Sequence, residues 1–550
     1  MNKKVYCFFA ACGLLCNAAG AATDSVNLSI NNLHNNVLPF DPQATTSQVF
    51  QSERDATGVF NRRLNSTEAS MLNSSNRHNN LDSGHADFGV EIPDLGAGSS
   101  LLEQQQETRL GEMVLRQIGQ EMPLYNDPWT QDELSQIFNR IYIASGMSAV
   151  APLGLVVIED NSINAFAVPG GLFALNTGLV LSVKTNDELA GVMGHEIAHI
   201  SQRHYSRSKE AFKNQALITL GSMLASILLA SQSSDAAGAV ALGAQAAMID
   251  RQLSYSRNQE READRVGMRL MYAAGYNPVA MADFFETMNR KTGTVSFMPD
   301  FWLTHPLSTE RMSEARLRAS QYPAIKARLD IPDDRNQALH EQNKLHVMQY
   351  RMAVLSNQVN ENRLVVAAQR DPAAIPALAL FYARAGKYTQ ARALASQFAQ
   401  QQPDMVIAAI TQTEIELMAN QPQQALDIIL PQSRIMPENR ALAIYTAQAY
   451  SALVQGQAAL ELLQPLVNKN PRDVVVWQAM EAAASRLPES ELKTLQLLRF
   501  RAENEFWHGN VDKAIRSLMR ASKLAQNNYS MQARIEKRLD EMQEARKFRG

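Results

Sequence analysis

Two histidines set four residues apart, His195 and His199, stand in Gly194-His195-Glu196-Ile197-Ala198-His199, within a stretch that reads as one helix. From Asp187 to His204 the apolar residues Leu189, Val192, Met193, Ile197 and Ile200 recur at helical spacing, and no proline intervenes. Thr185, followed three residues later by Glu188, predicts a capping box at the helix start. At 3.6 residues per turn the two imidazoles share one side, close enough to hold a single zinc ion. Glu196 stands one step round, placed to act on a water rather than to ligate. That is the equipment of a zinc-dependent peptidase. The bland alternative, two solvated histidines on a helix, stands until further ligands are found.

Downstream, Glu260 and Asp264 are also four apart, in Ser256-Arg257-Asn258-Gln259-Glu260-Arg261-Glu262-Ala263-Asp264-Arg265. Both face one way on a predicted helix, while Glu262 points elsewhere. One of the pair can supply a third ligand and the other can orient a ligand histidine through its free N–H. Alone, the segment reads as a charged helix with i,i+4 pairs; beside His195 and His199 the metal reading is the stronger. His305, in Thr304-His305-Pro306, precedes a proline that disfavours helix, so its side chain can be presented from a turn. Arg311 follows one or two turns on, either anchoring that loop or making a surface ion pair.

These motifs resemble the M48 metallopeptidases and, within them, the periplasmic β-barrel assembly-enhancing type. The resemblance rests on Asn164-Ala165-Phe166-Ala167-Val168-Pro169-Gly170-Gly171, on Asp187-Glu188-Leu189-Ala190 leading into the histidine helix, on Glu260 with Asp264, and on Thr304-His305-Pro306. It covers residues 103–345 well and the remainder in architecture. It implies one Zn2+ per chain held by His195, His199 and Glu260, with Glu196 and Asp264 as the catalytic pair. His305 becomes either a fourth ligand that closes the site or a group that moves aside and stabilises the oxyanion, which implies a self-inhibited resting state. Zinc over manganese or cobalt follows from ligand type and family. The resemblance also implies that the strand predicted at Leu172 to Asn176 borders the cleft, where an extended peptide adds to its free edge.

Met1 to Ala22 has Lys3 and Lys4, an apolar run from Val5 to Leu15, then small residues that suit a signal peptidase cutting after Ala21 or Ala22. All 3 cysteines fall inside this segment, so the mature chain has neither thiol nor disulfide. The formal net charge of -3 becomes more negative once the two lysines are removed, which leaves no electrostatic case for nucleic acid. Residues 23–102 are rich in Asn, Ser, Asp and Gly and read as a disordered leader.

Helices are predicted at Glu107 to Met122 and Gln131 to Ser145, strands at Leu153 to Ile158 and Ala165 to Val168, and a turn at Pro169-Gly170-Gly171. Ala211 to Ala230 is markedly apolar and Ala236 to Met248 is rich in alanine and glycine; they read as a membrane-facing or lid-like helical hairpin, or as two packed helices covering the active site. Ser222, Ser226, Ser231 and Gln232 argue against a membrane span. After a linker helix around Asn336 to Asn362, Ala391, Ala425 and Ala459 recur every 34 residues, as do Pro403, Pro437 and Pro471. That period predicts tetratricopeptide-like helix pairs, interrupted after Pro471 and resumed near Ala514, with a concave face for protein. The helix from Gln532 to Arg549 reads as a solvated cap.

The expected fold is therefore α+β and mostly helical: a zincin-type peptidase domain with a small sheet (103–345), then a helical solenoid (346–550). The expected function is a periplasmic zinc endopeptidase, with a binding protein or scaffold in which proteolysis is secondary or absent as the alternative. By resemblance its partners are misassembled outer-membrane proteins and the machinery that assembles them.

Overall fold

The computed structural model describes residues 101–147, 152–204, 244–294, 305–323 and 335–548. The segments expected to be an export signal and a leader, up to residue 100, together with the apolar stretch 211–230, residues 236–243 of the alanine-rich stretch, and Phe301, Trp302 and Thr304, lie outside the described residues.

The sheet has three strands, β1 (Gly154–Ile158), β2 (Ala165–Val168) and β3 (Leu172–Asn176), in the order β1-β3-β2. β1 runs parallel to β3 and β2 antiparallel to it. This corrects the expectation of a free edge at Leu172 to Asn176. β3 is paired on both sides and buried along its whole length, so no peptide can add to it. The sheet's edge strands are β1, met on its outer side by an isolated bridge from Leu124, and β2, whose outer side no strand pairs with among the described residues.

Period-2 alternation sends the sheet's side chains into two cores. Val157, Ala165, Phe173 and Leu175 join Phe138, Leu189, Met193 and Ile197 on the histidine-helix side. Ile158, Phe166, Val168, Leu172 and Ala174 pack instead on Val114 from the first helix and on Phe506, Trp507 and Leu518 from near the C-terminus. With both faces covered, β3 carries no polar alternation to read.

Eight helices precede the solenoid among the described residues: α1 (Leu101–Glu121), α2 (Pro128–Ala144), the short α3 (Thr177–Val180), α4 (Asn186–Ser201), α5 (Ala244–Ala273), α6 (Val279–Thr294), α7 (Thr309–Ala319) and α8 (Arg335–Leu355). The expected linker helix to Asn362 is two helices. Asn357 takes a left-handed φ of 55°, which ends α8, and Asn360 caps a new helix at Glu361–Arg370 through the Arg363 N–H.

Beyond it the helices keep the 34-residue period: Tyr388–Gln401, Pro422–Ile435 and Gly456–Lys469 start at that interval, as do Val406–Met418, Arg440–Ala452 and Val474–Ser485. Ala391, Ala425 and Ala459 are fully buried between paired helices. The turn inside each pair repeats too. Gly386, Asn420 and Val454 have φ of 74°, 56° and 61°, and the next N–H bonds back to the carbonyl of Tyr382, Glu416 or Tyr450. Such a left-handed stop suits glycine or asparagine; a β-branched valine is strained there. The same stop returns at Gly509, ahead of the buried Ala514.

The solenoid is pinned to the N-terminal half. Arg351 of α8 donates to both oxygens of Asp127, the N-cap of α2, at 3.0 and 2.6 Å. It also donates to Glu414 at 2.8 and 2.7 Å, and Tyr445 O–H reaches Glu414 at 3.0 Å.

Candidate active site

α4 starts as its sequence dictates. Thr185 Oγ1 accepts from the Glu188 N–H at 3.1 Å, while the Glu188 carboxylate accepts from the Lys184 N–H, one residue before the N-cap. The helix stops at Ser201 rather than His204, because Arg203 adopts a left-handed φ of 52°.

α4 crosses α5 at two glycines. A Cβ on Gly267 would lie 2.9 Å from the His195 nitrogen and 3.0 Å from the Gly194 carbonyl carbon, so the helices meet backbone to backbone. This close crossing brings His195 and His199 against Glu260 and Asp264.

Four donors gather there: His195, His199, Glu260 and His305, their ligating atoms all within 4.8 Å of one another. His195 Nε2 stands 3.1 Å from His199 Nε2, 3.3 Å from Glu260 Oε2 and 3.4 Å from His305 Nδ1. His199 Nε2 lies 3.4 Å from Glu260 Oε1. Donors at zinc bond lengths stand about 3.3 to 3.6 Å apart in a tetrahedron, so three nitrogens and one carboxylate at these separations fit zinc.

Asp264 is the second carboxylate at the cluster. Its Oδ1 lies 3.0 Å from His195 Nδ1, which leaves Nε2 turned to the donor cluster. Arg311 holds Asp264 with two hydrogen bonds of 2.9 and 2.8 Å, contacts Glu260 at 3.1 Å and donates to the Pro306 carbonyl at 2.7 Å. It is buried at 3% exposure, so it anchors the His305 turn to α5 and is no surface pair.

Electrostatics match a cation. Burial would lower the His195 imidazole, but hydrogen bonds to Asp264 and Glu260 outweigh it and raise its pKa to about 10. Burial likewise works against charge on Glu260, yet the surrounding histidines hold its carboxyl well below the ordinary range. Glu196 goes the other way: burial raises it, only partly opposed by His305 and His195. Its Oε1 lies 3.3 Å from His305 Nε2, and its carboxylate accepts a backbone hydrogen bond from Ala167 of β2. Every candidate residue read from the sequence thus falls in one cluster, alongside residues that reading missed. Glu262 does face away from Glu260, yet it meets His204 at 3.2 Å, and His204 Nδ1 lies 2.9 Å from His199 Nδ1.

The profile of peptidase family M48 matches residues 128–319, which contain all these residues. The Vibrio cholerae protein assigned as beta-barrel assembly-enhancing protease is 31% identical over 464 residues, covering 82% of this chain and 92% of that protein. The chain belongs to peptidase family M48. The beta-barrel assembly-enhancing protease of Escherichia coli K12 is 29% identical over 84% of this chain and 92% of its own length. A mitochondrial metalloendopeptidase of Schizosaccharomyces pombe is 34% identical over 179 residues, or 32% of this chain and 50% of that one. This M48 peptidase is accordingly a zinc metalloprotease, and the donor cluster suits its metal.

Proposed function

We propose that this M48 peptidase is a periplasmic endopeptidase that clears misfolded or stalled proteins and supports assembly of outer-membrane β-barrel proteins. The observation that carries the chemistry is the convergence of His195, His199 and Glu260 at tetrahedral separations with Glu196 beside them. The assembly role is supported by relatives named for it over most of both chains. An N-terminal signal peptide cut near residue 21 or 22 would deliver the chain, and among the described residues no helix is long and apolar enough to cross a membrane.

His195, His199 and Glu260 would hold the zinc, with Asp264 fixing the His195 ring. When bound, zinc supplies a Lewis acid that polarises the scissile carbonyl and makes water acidic enough to attack near neutral pH. Glu196, kept basic by burial, takes the proton of the attacking water and hands it to the departing amine. An extended substrate pairs with the outer edge of β2, which leads its backbone past Glu196 through the Ala167 contact. His305 occupies the fourth side of the donor cluster and covers Glu196, so it acts as a gate. The helix pairs, tetratricopeptide-like in their 34-residue period, supply the surface for substrate or assembly partner.

The direct test incubates the mature chain with an unfolded β-barrel protein and zinc. Cleavage that a chelator stops and zinc restores is expected. A β-barrel protein left whole by both the zinc-loaded wild type and its zinc-loaded His305→Ala variant would refute the reading.

A further inference from the structure

His199 has a supporting chain of its own. Its Nε2 faces His195 and Glu260, so a ligand role places the lone pair on Nε2 and the proton on Nδ1. That Nδ1–H has an acceptor 2.9 Å away, His204 Nδ1. For His204 to accept there, its own proton must sit on Nε2, which lies 3.2 Å from Glu262 Oε2. One arrangement satisfies all three contacts: His199 donates to His204, and His204 donates to the Glu262 carboxylate. Reversing His204 would set two N–H groups against each other at His199 and leave its bare Nε2 against a carboxylate.

The backbone holds this chain in place. The left-handed turn at Arg203 returns the main chain so that His204, buried at 3% exposure, lies under His199 rather than continuing along α4. Gln259 of α5 donates to the His204 carbonyl at 3.1 Å, tying that turn to the helix that carries Glu262.

We infer that Glu262, acting through His204, is a positioning residue that fixes the tautomer and ring orientation of His199. The inference rests on the reading of His199 as a zinc ligand. It makes the two ligand histidines parallel in design, His195 held directly by Asp264 and His199 held by a carboxylate one imidazole removed.

The test measures zinc affinity of the full mature chain by competition with a chromogenic chelator. The variants are Glu262→Ala, Glu262→Gln, His204→Ala and the double alanine variant. Losing an outer-shell partner weakens metal binding about 10- to 100-fold, and Glu262→Ala should fall in that range. Glu262→Gln should stay within about threefold of wild type, because its amide oxygen accepts the same bond. The double variant should bind no more weakly than His204→Ala, since the inferred route from Glu262 to the metal runs through His204. If Glu262→Ala does not fold, His204→Ala and Glu262→Gln carry the same comparison. Wild-type affinity in Glu262→Ala, or losses that add in the double variant, would overturn the inference. A wild-type chain that binds no zinc would overturn the ligand assignment beneath it.

Discussion

Gly194 and Gly267 touch backbone to backbone where α4 crosses α5, and no side chain fits between them. Replacing Gly267 with alanine puts a methyl 2.9 Å from the His195 nitrogen, and only backbone lies in its way. Overpacking of this kind costs roughly 1–3 kcal/mol. Gly267→Ala should therefore lower the urea midpoint and also weaken zinc binding, because the two helices that carry most of the donor cluster separate together. Unchanged zinc affinity would show that the crossing does not set the site.

Glu196→Gln should keep zinc while losing peptidase activity by at least about 100-fold, the usual weight of a general base. Zinc content by atomic absorption, beside the cleavage rate of an unfolded protein, separates the two effects. Activity at the wild-type rate would remove Glu196 from the mechanism.

His305→Ala should raise the basal rate. The ring lies 3.3 Å from Glu196 and 3.1 Å from Glu260, so removing it opens the fourth side of the cluster. An unaltered basal rate in this variant would refute the gate.

Acid should loosen the junction between the two halves. Burial alone would raise the Asp127 carboxyl, but the Arg351 charge and the hydrogen bonds from Arg351 and Thr130 hold it below its ordinary 3.8. In the unfolded chain Asp127 takes up its proton sooner, so its contribution to stability is complete above about pH 4 and drains away as pH falls through the depressed folded value. Arg351→Met leaves Asp127 and Glu414 buried without that partner, which costs roughly 3–5 kcal/mol. Urea midpoints at pH 7 and pH 3.5 should show the larger acid loss in wild type; equal losses in both proteins would discount the pair.

Val454→Asn should stabilise the solenoid. Val454 holds a left-handed φ with its side chain 65% exposed, so replacement relieves strain and removes little packing. About 1 kcal/mol is expected, the scale of the left-handed penalty for an L-residue. A thermal midpoint that fails to rise would mean the turn tolerates valine without strain.

Local periodicity explains what was legible in the sequence. His195 with His199, and Glu260 with Asp264, each lie four apart on a helix, so each pair announces its shared face without knowledge of the fold. The 34-residue recurrence of Ala391, Ala425 and Ala459 is legible for the same reason, each repeat burying the same small residue. What stayed hidden depends on partners distant in the chain. The Gly194 and Gly267 contact spans two helices and looks like nothing more than two poor helix formers. The link from His204 to Glu262 needs the left-handed turn at Arg203, which no residue type there demands. β3 looks like any short apolar strand; its place between β1 and β2, and the C-terminal helices that cover one of its faces, depend on partners distant in the chain.

Those helices have a consequence for the integrity of the enzyme. Phe166, Val168 and Leu172 of the sheet are covered by Phe506, Trp507 and Leu518, more than three hundred residues later in the chain. A proteolytic nick that released the last helices would strip the back of the very sheet that flanks the active centre, leaving a sticky apolar face in place of a working protease. Damage at the far end of the chain would thus silence the active centre by self-association instead of releasing an unrestrained peptidase.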